Sequence, residues 1–500
     1  MGNCENSMEK ENPLAYRLRR NVSLSETEKG VHLCLSYPLK HVSLDPYWRA
    51  MMRRLSKGSF VALDDLLRMA GKASGSAIAL FFDDLVRRGF LERTGIVAME
   101  VLPFVSVIIP VYNRSHDIST CLESLLKLDY PEHKLEIIVV DDASTDNTRD
   151  VVSRYPVKMI TNPMNRQAPY CRNLGADRAS GDILAFIDSD CLADRTWLRE
   201  LVPVFKEQKI AAVGGLVEGY YHTRPLDRYE QVRSSLKMGL WPKRSTNNNP
   251  FFYVPSCNLL VRRAVFLQAG GFNESLVVGE DVDLCWRIRC HGFHIDYVPS
   301  GRVLHKHRNR IGAFCKRRFD YGTSEPLLNC FYPGKVKKMV FTPLASLFWT
   351  GLILTVLLKT PLLLMFPLGI LGCEAVFKFH NLKQNRIPIP FNMIAVSVAR
   401  KYAAFLYHCC AFFSRYYLLW LPVLVLVLPF LSLILAGMHL LNGLVEYGLK
   451  KPQMDPGCFL IYFTMEQVSY QVGVWCQCLR LLSFRSVNPR ITTRILRGVS

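Results

Sequence analysis

With 500 residues the chain is long enough for about two or three domains, and half of its residues are hydrophobic. Its formal net charge of +20 favours an anionic partner, such as a phosphate-bearing substrate, an anionic lipid or nucleic acid. The 16 cysteines are scattered without paired Cys-x-x-Cys motifs. This argues against a zinc site and favours buried, reduced thiols in a protein that faces the cytosol.

The N-terminal part of the chain predicts a small α+β domain after a short disordered start. Residues 1–14 are polar and contain no apolar core of a signal peptide. Within 15–100, VHLCLSYPL predicts a strand, and VALDDLLRMAG and SAIALFFDDLVRRGFLER predict helices, each ended by a glycine. Two short helices followed by RRGFLER resemble a winged helix, a shape that often binds DNA. The second helix carries Asp83 and Asp84 and few basic residues to meet phosphate, so we expect no nucleic-acid partner.

Residues 101–335 alternate between strand and helix patterns. Apolar runs in PFVSVIIPVYN, LEIIVVDDAS, VKMITN and DILAFIDSD predict four strands, with helical patterns such as HDISTCLESLLKL and APYCRNLGADRAS between them. Such alternation is typical of an α/β fold with a parallel sheet covered by helices on both faces, in which ligands bind outside the carboxyl ends of the strands. Polar residues follow three of the strands at this edge: Asn113, Asp141, Asp142, Asp188 and Asp190.

The fourth predicted strand ends in two carboxylates, Asp188 and Asp190, one residue apart. A polar turn explains such a pair taken alone, because Asp and Ser both favour turns. The convergence of three strands favours a site instead. Carboxylates at i and i+2 suit Mg²⁺ or Mn²⁺, with substrate phosphates as further ligands, and such a metal would neutralise a leaving diphosphate. On this hypothesis Asp142 could accept the imide N–H of a uracil, and Arg172 could meet phosphate or ribose.

Three acids stand close together in the later stretch FLQAGGFNESLVVGEDVDLCWRIRCHGF. The pair Gly270-Gly271 is predicted to break one helix, and the next helix begins with Glu280, Asp281 and Asp283. A carboxylate at a helix start is usually a cap. Three of them within four residues exceed what capping needs, which suggests that one is a general base beside a substrate hydroxyl.

Residues 336–500 contain long apolar stretches and are predicted to be α-helical and membrane-associated. The stretch 341–358 carries no charge and is about long enough to span a bilayer, 361–373 follows it, and 416–445 contains no Asp, Glu, Lys or Arg. The intervening IPIPFNMIAVSVARKYAAFLYHCCAFF is too short and interrupted to predict a span. Buried core helices are the alternative, which the long uncharged stretch disfavours. Flanking basic residues place both ends in the cytoplasm, and two prolines in the last stretch would kink it.

Four motifs together carry a resemblance to a known family. SVIIPVYNR, IIVVDDASTD, FIDSD and GGFNESLVVGEDVDLCWR, in this order and spacing, resemble the inverting family 2 glycosyltransferases of the GT-A fold. The resemblance implies a GT-A, Rossmann-like nucleotide-sugar-binding domain between a winged-helix-like α+β domain and a helical membrane region. It also implies a nucleotide-sugar donor, commonly a UDP sugar, and a divalent metal, Mg²⁺ or Mn²⁺.

The resemblance also implies roles for single residues. Asp281 matches the catalytic base, with Glu280 beside it. Asp188 and Asp190 match the metal and diphosphate site, and His305, in VLHKH, resembles a histidine near the diphosphate, its alternative being a surface strand end. The implied donor-binding residues are Pro110, Tyr112, Asn113, Asp141, Asp142, Arg172 and Asp188. The chain carries KRRFDYG in place of the Gln-x-x-Arg-Trp of processive relatives, which disfavours a processive polymerase.

Features outside these motifs resemble the mycofactocin-biosynthesis glycosyltransferases over nearly the whole chain: the winged-helix-like N-terminal domain, YVPSCNLLVRR and YQVGVWCQCLR. In that group the N-terminal part is similar to a peptide-recognition domain. The resemblance implies a peptide-derived acceptor and an inner-membrane enzyme with a cytoplasmic catalytic domain. A lipid-linked or cell-envelope glycan is the alternative acceptor. A non-catalytic membrane scaffold that binds nucleotide sugars and a membrane-anchored transcription regulator are the alternatives of other classes.

Overall fold

A computed structural model of the chain describes residues 14–28, 30–36, 39–71, 75–95, 101–247, 249–335, 337–385 and 387–493. The start predicted to be disordered lies outside the described residues except for Leu14. The fold separates into two compact units. One combines Met1–Glu100 with Leu347–Tyr402, and the other combines Val101–Ser346 with Ala403–Ser500. The apolar C-terminal region is therefore shared between the units, a grouping that the sequence pattern does not indicate.

The N-terminal part of the first unit has the predicted α+β composition. Its elements are β1 (Ala15–Leu18), β2 (Val22–Thr27), β3 (Gly30–Ser36), β4 (Leu39–Leu44), α1 (Arg49–Leu55), β5 (Val61–Ala62), α2 (Leu63–Ala70), α3 (Gly75–Arg88) and β6 (Leu91–Thr94). Strands β2–β3–β4 form an antiparallel sheet, and β5–β1–β6 form a second sheet beside the three helices, as in a winged helix. Gly71 (φ +68°) and Gly89 (φ +88°) follow α2 and α3 in left-handed conformations, which confirms the predicted glycine stops.

The second unit is built on a large sheet with helices around it. Its elements between residues 101 and 335 are β7 (Val105–Val111), α4 (Ser115–Leu126), β8 (Leu135–Asp141), α5 (Thr148–Val152), β9 (Lys158–Thr161), α6 (Gln167–Asp177), β10 (Ile183–Phe186), β11 (Cys191–Ala193), α7 (Trp197–Leu201), β12 (Ile210–Gly219), α8 (Pro225–Arg233), β13 (Lys243–Arg244), β14 (Leu259–Arg262), α9 (Arg263–Gln268), α10 (Glu280–Cys290), β15 (His294–His305) and α11 (Ile311–Phe331). The strand order is β11-β15-β12-β14-β10-β7-β8-β9, with β13 paired to β15.

The four predicted strands run parallel, in the order β10–β7–β8–β9. The buried apolar runs of β7, β8 and β10 explain their clear sequence signal, whereas β9 is a mostly exposed edge strand. The prediction of a wholly parallel sheet is wrong for the other half, because β14 runs antiparallel to both β10 and β12, and β11 antiparallel to β15. The chain between β12 and β14, which includes α8, reaches β14 at the edge of the sheet where β10 ends, so β14 returns along the sheet in the opposite direction. The carboxyl ends of β7, β8 and β10 still lie at one edge.

The C-terminal region is mostly helical. Its elements are β16 (Lys338–Phe341), α12 (Pro343–Leu357), α13 (Met365–Gln384), α14 (Phe391–Tyr416), α15 (Leu421–Val427), α16 (Pro429–Lys450), α17 (Pro456–Arg480) and β17 (Arg490–Thr493). In the first unit, Ile389 and Ile394 pack against Cys34 of β3. In the second unit, β16 and β17 form a two-stranded parallel sheet.

Among the described residues, two helices are long and apolar enough to cross a membrane, Pro361–Gln384 and Pro429–Lys450. A third candidate arises if Phe391–Tyr416 and Leu418–Val427, bent by 65°, form one span. The large side chains of α15 and α16 are strongly exposed, Leu426 by 85% and Leu433 by 71%. Such an exposed apolar surface is consistent with association with lipid.

Two predictions about these segments are wrong and one is confirmed. The helix α12 within 341–358 has 15 residues and is about 22 Å long, short of a bilayer core of about 30 Å. The predicted effect of proline in 416–445 is confirmed, since Pro429 cannot donate a backbone hydrogen bond and starts a new helix. The segment considered too interrupted is the 26-residue helix α14. Its Lys401 is neutralised by buried Glu374 at 2.8 Å.

Helices α11 and α17 cross at a point where each helix carries a glycine. A Cβ on Gly322 would overlap the carbonyl oxygen of Tyr470 and lie 3.1 Å from the Cα of Gly473. A Cβ on Gly473 would likewise overlap the carbonyl oxygen of Phe319. The two backbones are therefore in direct contact, and a side chain at either position would separate the helices.

We expect Gly322→Ala to destabilise the second unit by about 1–3 kcal/mol, because the added methyl group must push two backbones apart. Gly312→Ala is the matched control in the same helix, since an added Cβ there meets nothing within 4 Å. The control should be neutral or stabilising by up to about 1 kcal/mol, as expected when Ala replaces Gly in a helix. Thermal unfolding of the detergent-purified chain measures both, and equal midpoints for the two variants would contradict the crossing.

Candidate active site

A cavity of about 330 Å³ lies at the carboxyl ends of β7, β8 and β10. The predicted site residues that line it are Pro110, Tyr112, Asp142, Arg172, Asp188, Asp190, Glu280, Asp281 and His305. The opposite wall comes from the end of α8 with Ser234–Leu236, from Pro255–Cys257, and from α10 and α11. Residues from distant parts of the sequence thus meet in one cavity.

Two predicted donor-binding residues, Asn113 and Asp141, do not line this cavity. Asn113 has a left-handed φ of +51°, and its Oδ1 accepts a hydrogen bond of 2.8 Å from the backbone N–H of Thr145. Asp141 is fully buried and accepts hydrogen bonds from Arg149 at 2.7 Å and from the N–H of Ser144 at 3.3 Å. Both side chains hold together the loops that follow β7 and β8.

Asp142 is buried at the cavity edge and stabilises the start of α6. Its Oδ1 accepts hydrogen bonds from the Asn162 side chain at 2.9 Å and from the Arg166 N–H at 2.8 Å. Its Oδ2 accepts one from the N–H of Gln167 at 2.8 Å. A carboxylate offers about four lone-pair positions, so about one remains for a ligand.

Arg172 of α6 is buried between two carboxylates. It donates hydrogen bonds to Asp188 at 2.7 Å and to Glu280 at 2.9 Å. Burial acts to raise the pKa of Asp188, but the charge and hydrogen bond of Arg172 outweigh it and lower that pKa. Arg172, predicted to contact phosphate or ribose, therefore joins the end of β10 to the start of α10.

A possible metal site lies where β11 pairs with β15. The register places Cys191 opposite His305, so that the ligand atoms of Asp190, Cys191 and His305 lie within 4.8 Å of one another. His305 Nε2 is 3.4 Å from Asp190 Oδ1, and its Nδ1 is 3.1 Å from Nδ1 of His307. Burial raises the pKa of the Cys191 thiol, which disfavours the thiolate that binds metal. The carboxylate and imidazole fit a divalent cation such as Mn²⁺.

Asp281 stands at the start of α10, after the left-handed Gly279 (φ +87°), and is partly open to the cavity. Burial and the neighbouring charge of Glu280 raise the pKa of Asp281 to about 7. Its carboxylate oxygens accept hydrogen bonds from two backbone N–H groups, that of Val282 at 2.8 Å and that of Ser256 at 3.3 Å. A pKa near neutrality suits a general base.

The other two acids of the cluster make structural contacts. Asp283 is buried and pairs with Arg287 at 2.6 Å, and it accepts a hydrogen bond of 2.6 Å from Tyr332. Glu280 is occupied by Arg172. Asp281 is therefore the acid of this group that combines access to the cavity with a raised pKa.

Basic residues of α11 and of the loop before it also line the cavity, and the sequence analysis assigned them no role. These residues are Arg308, Arg317 and Arg318. Arg318 pairs with Glu230 at 2.7 Å, and the guanidinium of Arg317 lies 4.7 Å from the ring centre of Tyr321. The signal was present in KRRFDYG, where consecutive basic residues precede a tyrosine within a helix. It was used there only as evidence against processivity.

The chain is similar in sequence to several known proteins. Residues 106–266 match the model of glycosyl transferase family 2. The pre-mycofactocin glycosyltransferase of Mycobacterium tuberculosis (strain ATCC 25618 / H37Rv) is 26% identical over 403 residues, 78% of this chain and 82% of that protein. Glycosyltransferase AglE of Haloferax volcanii is 30% identical over 231 residues, 45% of this chain and 73% of that protein.

Among solved structures, the mannosyltransferase PcManGT from Pyrobaculum calidifontis, in complex with GDP-Man and Mn²⁺, is 19% identical, with a TM-score of 0.38. That likeness covers 66% of this chain and 95% of the mannosyltransferase. The family match and the identity to AglE establish the assignment. The chain belongs to glycosyl transferase family 2, and it is a glycosyltransferase of the GT-A fold.

Proposed function

We propose that the chain is a membrane-associated, metal-dependent, inverting glycosyltransferase that moves a sugar from a nucleotide-sugar donor to an acceptor hydroxyl. UDP sugar is the donor implied by the family resemblance. The observation that carries the proposal is the position of Asp281. This candidate base shares one cavity with the acidic sheet edge of Asp142, Asp188 and Asp190.

The sheet edge forms the donor side of the proposed site. Asp142 keeps about one acceptor position for a base N–H. Asp190 and His305 are the residues that would hold a divalent cation. Such a cation, when bound, supplies positive charge that neutralises a leaving diphosphate. Arg308 and Arg317 add fixed positive charge to the lining of the same cavity, which would stabilise a leaving diphosphate.

The start of α10 forms the acceptor side. The carboxylate of Asp281 takes the proton of the acceptor hydroxyl, whose oxygen attacks the anomeric carbon. The new glycosidic bond forms as the bond to the nucleoside diphosphate breaks, and the diphosphate leaves with the electron pair. A single displacement of this kind inverts the anomeric centre.

A peptide-derived acceptor is favoured over an envelope or lipid-linked glycan. The likeness to the pre-mycofactocin glycosyltransferase covers 78% of this chain, whereas the likeness to AglE covers 45%. The longer match must extend beyond residues 101–335, the proposed catalytic domain. From the winged-helix-like arrangement of residues 15–100 we also propose that they recognise the peptide part of the acceptor. A non-catalytic scaffold is disfavoured because the acids of both sides are present.

Residues 336–500 are proposed to anchor the enzyme in the inner membrane. Pro361–Gln384 and Pro429–Lys450 are apolar enough to span it, and Lys450 and Lys451 stand at the end of the second helix. Positive charge at helix ends favours the cytoplasmic side, so the catalytic domain is proposed to face the cytoplasm.

The main test is transfer of sugar from UDP sugars to pre-mycofactocin, measured by the mass of the product. We expect Asp281→Asn to lower the rate by about 10²–10⁴-fold, the usual contribution of a general base, with UDP affinity almost unchanged. Asp283→Asn is the comparison, because it changes a neighbouring acid with structural contacts. Normal turnover by Asp281→Asn would show that the base is misassigned.

The pH dependence of Asp281 gives a second test. Catalysis needs the deprotonated carboxylate of Asp281, so kcat/KM should rise as the pH passes through about 7 and should then level off. The stability should change in the opposite direction. Because the folded pKa exceeds the usual 3.8, the stabilising contribution is present below about pH 4 and is lost as pH rises through about 7.

Asp281→Asn removes this titration, so the variant should gain stability relative to the wild type between about pH 5 and pH 8. Chemical unfolding of both proteins at the two pH values measures the difference. The same relative stability at both values would show that the pKa of Asp281 is not raised.

Metal binding can be tested without turnover. Asp190→Asn and His305→Ala should each weaken Mn²⁺ binding by at least about tenfold, because each removes a ligand atom. Electron paramagnetic resonance of free Mn²⁺ measures the affinity. His291→Ala, at an exposed histidine after α10, is the control and should bind Mn²⁺ normally. Unchanged binding in Asp190→Asn and His305→Ala would exclude these ligands.

A further inference from the structure

Helix α8 lies between the cavity and the C-terminal helices. On one side, Glu230 and the following residues Ser234–Leu236 line the cavity. On the other side, Arg233 contacts two carboxylates, Glu446 of α16 at 2.7 Å and Glu466 of α17 at 3.2 Å. We propose that Arg233 is a positioning residue that holds the acceptor wall of the cavity in register with α16 and α17.

The two carboxylates that Arg233 contacts, those of Glu446 and Glu466, are buried. The guanidinium of Arg233 lies 5.3 Å from the ring centre of Phe463. Tyr229 donates a hydrogen bond to Glu466, and Tyr407 donates one to Glu446. A buried ion pair of this kind contributes little net stability. It favours one defined arrangement of the helices, because each alternative arrangement leaves a buried charge unpaired.

A series of hydrogen bonds connects α8 with the segment that contacts the candidate base Asp281. Arg318 connects α8 with the residues after it, because it donates to Glu230 at 2.7 Å and to the hydroxyl of Ser235 at 3.3 Å. The hydroxyl of Tyr253 donates to the carbonyl oxygen of Ser235 at 3.3 Å. Three residues later, the N–H of Ser256 donates to Asp281. A shift of α8 therefore moves the wall beside Asp281.

Two acids of the donor side, Asp142 and Asp188, are held by contacts outside the joint that Arg233 forms with Glu446 and Glu466. Asp142 and Asp188 follow β8 and β10, and their hydrogen bonds run to the start of α6 and to Arg172. Loss of Arg233 should consequently change how the acceptor is held and leave the nucleotide in place. This inference rests on the proposed function for its kinetic part, and its structural part can be measured separately.

The structural measurement is amide hydrogen exchange of the full chain in detergent. In Arg233→Gln, exchange at 234–236 and 253–256 should rise about tenfold or more, since these segments lose their fixed support. Arg244→Gln is the matched control. It also removes an arginine held by two carboxylates, Glu207 and Asp296. This arginine lies in strand β13, and its hydrogen bonds and ion pairs among the described residues do not reach α16 or α17. Exchange at 234–236 and 253–256 should not change in the control.

The kinetic measurement uses UDP with Mn²⁺ for donor affinity and pre-mycofactocin with a UDP sugar for transfer. Arg233→Gln should keep UDP affinity within about twofold and raise the acceptor KM by about 10-fold to 100-fold, the cost of a misplaced reacting group. Arg233→Lys keeps one charge and should recover part of the loss. If Arg233→Gln does not fold, Glu446→Gln weakens the same joint from the other side and should give the same pattern.

The two readouts separate the possible failures. Exchange could increase in Arg233→Gln while the wild type transfers no sugar to pre-mycofactocin. This outcome would refute the proposed acceptor and would still support the structural role of Arg233. Unchanged exchange at 234–236 in Arg233→Gln, or an equal change in Arg244→Gln, would overturn the joint. An equal loss of UDP affinity and acceptor use would also overturn it, because Arg233 would then support the whole cavity.

Discussion

The buried guanidinium of Arg172 holds the two halves of the site together. It donates to Asp188 at the end of β10 and to Glu280 at the start of α10, residues that lie far apart in the sequence. Without it, Asp188 and Glu280 would lose the guanidinium to which both of these carboxylates are hydrogen-bonded. Breaking such a pair from one side typically costs about 3–5 kcal/mol, because an uncompensated charge stays buried.

The same arrangement separates the pKa values of neighbouring acids. Asp188 is stabilised as a carboxylate by Arg172, which lowers its pKa. Asp281 is not hydrogen-bonded to Arg172, whose second hydrogen bond goes to Glu280. Burial and the negative charge of Glu280 therefore raise the pKa of Asp281 to about 7. Two acids in one cavity are thereby suited to different roles, one as a permanent anion and the other as a group that gains and loses a proton near neutrality.

The helices outside the sheet contribute to the cavity as much as the sheet does. Helix α11 supplies Arg317, Arg318 and Tyr321 to its lining, and its backbone touches α17 at Gly322 and Gly473. Close backbone contact leaves little freedom for the two helices to slide. The C-terminal helices are therefore part of the support of the cavity, in addition to their proposed place in the membrane.

The sequence by itself determined the elements whose signal is local. Continuous apolar runs predicted β7, β8, β9 and β10, and the acids that follow them predicted the ligand edge, since parallel strands bring their carboxyl ends together. The glycine pair and the acids of α10 predicted the second half of the site in the same way. The positions of Asp142, Asp188 and Asp281 were therefore accessible before the fold was known.

Tertiary structure alone decided which of these residues face the cavity and what holds them. Asn113 and Asp141 turn to neighbouring loops, His305 meets Asp190 through the register of β11 and β15, and Arg233 pairs with helices more than two hundred residues away. The antiparallel direction of β14 was also not indicated by the sequence pattern. Strand register and buried ion pairs join residues distant in the chain, and no local periodicity records which partner each residue will meet.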